Sequence, residues 1–129
     1  MSSIKPEQLE GELYATLARY SDDVREAAAE QTDITARDIV DELRAASPRE
    51  SGDYARGWGT KSDAFGARGA FGRTVYQRSK PSLTHLLEHG HAKRGGVGRV
   101  AGIPHIAPVE QRYADIYPQR VLDAIRKIV

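Results

Sequence analysis

The feature that most constrains this chain is a helical pattern that occupies its first 46 residues. Leu9, Leu13, Leu17, Tyr20, Val24, Ala27, Gln31 and Ile34 recur at intervals of three and four, which places them along one face of a helix. Pro6 suits a first helical turn, and Glu7, Glu10 and Glu12 complement the positive end of the helix dipole. Ser47-Pro48 ends the segment, because a residue before proline is driven out of the α region. Ser21 followed by Asp22 and Asp23, and Thr32 followed by Asp33, are the two places where a break and a newly capped helix would fall. Unbroken to Ala46, the helix would be roughly 60 Å long at about 1.5 Å per residue. What remains of a 129-residue chain is too little to cover such a rod, so part of the stripe is expected to meet another subunit.

Composition strengthens that expectation. Of the apolar residues, 17 are alanines, and the bulky set is eight each of leucine, isoleucine and valine, six tyrosines, two phenylalanines, one tryptophan and one methionine. A monomer of this size buries roughly two thirds of its unfolded surface. So thin a core implies that partner subunits supply some of the burial. The chain has no cysteine, which excludes disulfides, thiolate metal sites and cysteine nucleophiles, and fits a reducing compartment. Neither a membrane span nor a basic-then-apolar leader is present in the pattern, and no membrane association is expected.

The net charge of +1 conceals a segregation. Residues 1–53 sum to −7, residues 54–106 to +7 and residues 107–129 to +1. This fits solvated faces of one domain. It equally fits head-to-tail assembly, in which one surface of each subunit meets a different surface of its neighbour.

Past Pro48 the period changes. Gly52, Gly57, Gly59, Gly66, Gly69 and Gly72 punctuate runs containing Tyr54, Trp58, Phe71, Val75 and Tyr76, which is strand-and-turn material. Residues 71–78 predict one strand and residues 54–61 its antiparallel partner, across a loop at 62–69. Pro81-Ser82 opens a short helix through Leu83, Leu86 and Leu87 that Gly90 stops. A glycine-rich basic loop, His91 to Gly102, leads to Pro104 and Pro108 and to a last helix expected to be interrupted at Pro118. The expected fold is α+β and one domain: a helical arm (1–47), a small antiparallel sheet, short helix and basic loop (48–106), and a C-terminal helix (107–129). Trp58, Val75, Leu83, Leu86, Leu87 and Ile106 are the expected core.

Three histidines fall in Thr84-His85-Leu86-Leu87-Glu88-His89-Gly90-His91. His85, Glu88 and His89 match the H-x-x-E-H pattern of zinc peptidases, with His91 or His105 available as a third ligand. The pattern is short, and Gly90 ends the helix directly after it. The competing reading makes His85 a structural histidine at the core boundary, bonded to backbone in the following loop. Lys93, Arg94 and Arg99, set among glycines, suit a phosphate or DNA contact, but the loop lacks the Lys-Ser/Thr ending of a P-loop. A DNA-binding module built on this loop is therefore a second alternative.

The run Leu83-Thr84-His85-Leu86-Leu87-Glu88-His89-Gly90-His91-Ala92-Lys93-Arg94-Gly95-Gly96, then Gly98-Arg99-Val100 and Pro104-His105-Ile106-Ala107-Pro108, resembles a family of bacteriophage neck and tail-component proteins typified by gene product ten of phage HK-ninety-seven. Ser47-Pro48-Arg49 and the run from Ser51 to Trp58 are similar to that family's link between first helix and sheet. The resemblance implies a non-enzymatic virion protein of a long-tailed phage or prophage, made in the host cytoplasm and built into the head–tail joint. It implies a ring around the DNA conduit, with adjoining head-completion and tail rings as partners, DNA passing without sequence-specific binding, and no cofactor or metal. On this reading His85, Glu88, Gly90, His91, Pro104, His105 and Pro108 form a structural motif. Leu13, Leu17, Tyr20 and Val24 face a neighbour, and Lys93, Arg94 and Arg99 contact an adjoining ring or DNA. The family's pattern is indifferent at the His89 position, which weakens the zinc alternative.

Overall fold

The computed structural model describes residues 6–49, 52–62, 72–93 and 95–128, without the side chains of residues 6, 7, 9, 10, 14 and 17. The architecture is α+β. Helix α1 (Pro6–Ala46) is followed by a single turn α2 (Asp53–Arg56), strands β1 (Trp58–Ser62) and β2 (Arg73–Gln77), and helix α3 (Pro81–His89). Strands β3 (His91–Ala92) and β4 (Arg99–Val100) then precede helix α4 (Ile106–Arg126). β1 and β2 pair antiparallel with Trp58 opposite Gln77 and Thr60 opposite Val75. β3 and β4 form a second antiparallel pair.

α1 is unbroken over 41 residues, and at the Thr32–Asp33 candidate break the side chains that would cap a new helix are bonded elsewhere. The Thr32 hydroxyl donates back to the Ala28 carbonyl (2.8 Å) and meets the Tyr117 hydroxyl of α4. Asp33 accepts from Arg73 Nε of β2 at 2.7 Å. The helix divides into two halves by what covers it. Ala28, Thr32, Thr35, Ala36, Val40 and Leu43 are buried at three- and four-residue spacing. Every described side chain from residue 8 to residue 23 is exposed.

α4 lies against the covered half in the opposite sense. Arg112 and Tyr113 reach Glu42, Arg120 reaches Asp38 and Thr35, and Tyr117 reaches Thr32. The core between them holds Val40, Leu43, Tyr54, Trp58, Val109 and Tyr113, with Ile39, Val75, Leu83, Leu87, Ile106 and Ile116 packed against it. Trp58 Nε1 donates to Ser47 Oγ (2.8 Å), and Arg44 donates to the Trp58 carbonyl (3.0 Å), so the end of α1 is tied to the start of the sheet.

Four expectations change. α4 continues through Pro118 rather than breaking there, because the turns on either side are held on α1 by Tyr117 and Arg120, which offsets the roughly 3 kcal/mol cost of an internal proline. Residues 53–56 form a helical turn instead of extending β1, set by Gly52 at φ +85° and closed by Arg56 N–H to the Gly52 carbonyl. Leu86 is 40% exposed rather than in the core. On α3 the positions 83, 84, 87 and 88 share one arc of about 140°, and Leu86 points away from it. The basic segment is a small hairpin, not an open loop: Lys93 N–H donates to the Gly98 carbonyl, and Gly96 N–H to that of Lys93. Gly95, at φ +97°, holds a left-handed backbone position that favours glycine.

Leu43→Ala is expected to cost about 3 kcal/mol, since it empties a packed site. Leu13→Ala should change monomer stability by less than about 0.5 kcal/mol. Denaturant unfolding at low protein concentration measures both.

Candidate functional site

The first amides of a helix have no partner within it. No Ser, Thr, Asp or Asn stands in Gly102-Ile103-Pro104-His105 to cap α4, and His105 provides no side-chain cap. The cap comes from α3. Glu88 Oε1 accepts from the backbone N–H of His105 (2.8 Å) and of Ile106 (2.9 Å), and Oε2 accepts from that of Ala107 (2.9 Å). A buried carboxylate thus fills the positive end of a 21-residue helix whose sequence neighbours could not.

His105 extends the arrangement. It is the most deeply buried large side chain among the described residues, at 1% exposure. Its Nδ1 faces two acceptors, the Ile103 carbonyl (2.9 Å) and Glu88 Oε1 (3.0 Å), so Nδ1 carries a proton. Nε2 lies 2.7 Å from the Tyr54 hydroxyl, which donates to it in the neutral ring. Burial, joined by the nearby Glu88 charge, pushes the Tyr54 phenol up and keeps it a donor. Tyr54, Trp58 and His105 also meet edge to face, with centroids 5.5–6.2 Å apart. One node therefore joins α2, β1, α3 and α4.

Burial pushes the Glu88 carboxyl up, but the three amide donors and His105 outweigh it and hold the group below the ordinary glutamate value of 4.5. Its stabilising effect is complete above that ordinary value and is lost as pH falls through the lower folded-state value.

Two glycines let the chain approach this node. Gly90, at φ +79°, ends α3, and a Cβ there would lie 2.4 Å from the Val100 carbonyl oxygen. A Cβ on Gly102 would lie 2.5 Å from the Glu88 carbonyl oxygen. Backbone packs on backbone, sealed by Ile103 N–H to the Leu87 carbonyl (2.7 Å), and this crossing aims the 103–107 amides at Glu88.

The motif predicted from sequence is thus divided. Glu88, Gly90 and His105 come together, and Pro104 and Pro108 flank the capped amides on the surface. His91 pairs with Val100 on β3, with its Nδ1 buried and without a hydrogen-bond partner. His85 and His89 are exposed, with ring centroids 4.8 Å apart on the outer side of α3. The buried histidine bonded to backbone is therefore His105 and not His85. Among the described residues no group of three or more His, Asp or Glu is arranged to hold a metal ion. Of the predicted interface, Leu13 and Tyr20 are 57% and 44% exposed, Val24 is half-buried, and the Leu17 side chain lies outside the described residues. Lys93 and Arg99 are exposed on the hairpin, Arg99 reaching the His89 carbonyl, and Arg94 lies outside the described residues.

Sequence reasoning missed the role of Glu88 as a cap. The available signal was negative: a helix start with no capping side chain of its own.

The arrangement is an exposed helical half, a small sheet and a buried polar node that ties four elements together. Residues 11–90 match the family described as "Bacteriophage HK97-gp10, putative tail-component". That is more than half of the chain, which therefore belongs to this family of phage tail components, structural proteins of the virion. The match takes in Glu88 and Gly90 and stops before the amides that Glu88 caps. No curated protein and no solved structure matches the chain.

Glu88→Ala is expected to lower stability by about 3 kcal/mol at neutral pH, since it strands three amides and His105. Glu88→Gln should flatten the loss of stability on acidification below the ordinary glutamate value that the wild type shows. His105→Ala should destabilise strongly and His85→Ala hardly at all. Thermal unfolding between pH 3 and pH 7 reads out all four variants.

Proposed function

We propose that the chain is a structural ring component of the head–tail connection of a long-tailed phage or prophage, forming its neck or completing its tail around the DNA conduit. The observation that carries this reading is the outer half of α1. Leu13 and Tyr20 stand in solvent on a helical half that the other described residues do not cover, in a member of a phage tail-component family. Exposed apolar stripes of this kind mark protein–protein contacts. The adjoining head-completion and tail rings are the further partners, reached by the hairpin bearing Lys93 and Arg99. DNA passes without sequence-specific contact.

Charge contributes less to assembly than segment totals suggest. Asp33, Asp38 and Glu42 of the acidic arm are paired inside the chain with Arg73, Arg120 and Arg112. What remains for a neighbour is the acid of the exposed half and cations such as Arg78. Such rim pairs are screened over a Debye length of about 8 Å at physiological salt, whereas apolar burial is not weakened.

Leu13→Asp is therefore expected to abolish self-association at every salt concentration, and Arg78→Glu to weaken it mainly at low salt, as followed by light scattering alone and with neck partners. A phage or prophage lacking the protein should accumulate filled heads and unjoined tails. A protein that stays monomeric under all these conditions and binds duplex DNA tightly at physiological salt would instead favour the DNA-binding module.

A further inference from the structure

The thin core leaves a groove. Two adjoining cavities, of about 410 and 630 Å³, lie between α1, β2, α3 and α4 and share Ile39, Val75 and Glu110 in their walls. The smaller continues past Ala114 and Tyr117 of α4, and the larger reaches Trp58 at the core. Both are lined mainly by apolar side chains and both open to the surface.

We propose that this groove receives the exposed half of α1 from a second copy of the chain, related head to tail. The inference rests on the assembly reading above and names the acceptor surface it lacks.

Three observations support it. First, the donor and the groove cannot meet within one chain. The exposed half and the groove wall at residues 32–43 belong to one unbroken helix, which cannot fold back on itself. Second, the two surfaces match in polarity. A helix with Leu13 and Tyr20 at one-face spacing presents apolar anchors to a trough, the usual mode of helix-in-groove recognition. Tyr20 adds a hydroxyl donor suited to the Glu110 carboxylate in the trough. Third, the charges match. Residues 6–24 carry Glu7, Glu10, Glu12 and Asp23, beyond the Asp22 that pairs with Arg25, against Arg19, whereas Lys80, beside the groove-lining Pro81, is exposed and holds no ion pair among the described residues. Because donor and acceptor are different surfaces, each copy keeps one of each, and the contact is of the heterologous kind that generates rings.

The absence of cysteine allows a direct test. One batch carries Leu13→Cys and another Ala114→Cys, Ala114 being an exposed position on the groove rim. Mild oxidation of the mixture should give mainly the mixed disulfide dimer. Predominant Leu13→Cys homodimers would show arms pairing with arms and would overturn the proposal. As an independent arm, Ala114→Glu should weaken self-association by at least about tenfold while leaving the unfolding temperature of the monomer near that of wild type. Unchanged association would overturn the groove as acceptor and leave the assembly reading standing. A loss of stability without loss of association would assign the groove to residues of the same chain and also overturn it. If Leu13→Asp abolishes association while Ala114→Glu does not, the arm binds elsewhere. A wild-type protein that never associates, alone or with neck partners, removes both readings together.

Discussion

The structure depends on one carboxylate. Glu88 satisfies three backbone donors of α4 and faces the buried ring of His105, so a helix that begins without a local cap is anchored to a short helix 17 residues earlier. Burying a charge is costly unless it is paired and hydrogen-bonded, and this one is both. Its partners are mostly main-chain amides, which cannot move independently of the fold. The Gly90–Gly102 crossing holds those amides in place, and the Tyr54–His105 bond carries the same constraint to the turn before β1. In a protein with few bulky apolar side chains, this polar node fixes relative element positions that a larger core would otherwise set.

The same shortage of core explains the surface. One half of α1 supplies the long wall on which the sheet and α4 pack, and the other half is left with Leu13 and Tyr20 in water. A monomer gains nothing from that extension, whereas an assembly gains a preformed contact element whose conformational entropy is already spent in the helix. The open groove is the complementary consequence: too few large side chains to fill the space between α1, β2 and α4. Both features fit the assembly proposed above for this member of a phage tail-component family.

Ion pairs within the chain alter how its charge pattern should be understood. Segment sums suggested two oppositely charged surfaces waiting for each other. Three of the arm's carboxylates are instead neutralised by Arg73, Arg112 and Arg120 of the same chain, and these pairs steer α4 and β2 onto α1. Only the unpaired remainder is available to orient a neighbour, which suits charge acting on specificity and encounter rate more than on affinity.

Periodicity by itself determined the helices, because a repeat of three and four residues from Leu9 to Ile34, and again from Val109 onward, has no other regular solution. Glycine spacing and alternating residues located β1 and β2, and the motif around Leu83–Gly90 carried the family resemblance. What local pattern could not supply were the outcomes set by distant partners. Pro118 stays helical because Tyr117 and Arg120 clamp its neighbours on α1. Thr32 does not start a new helix because its hydroxyl is taken by Ala28 and Tyr117. His105 rather than His85 is buried, and Glu88 caps α4, because a backbone crossing brings residues 103–107 onto the end of α3. Each of these is a competition between a local preference of about 1–3 kcal/mol and contacts between residues far apart in the chain, and only the tertiary structure reveals which side wins.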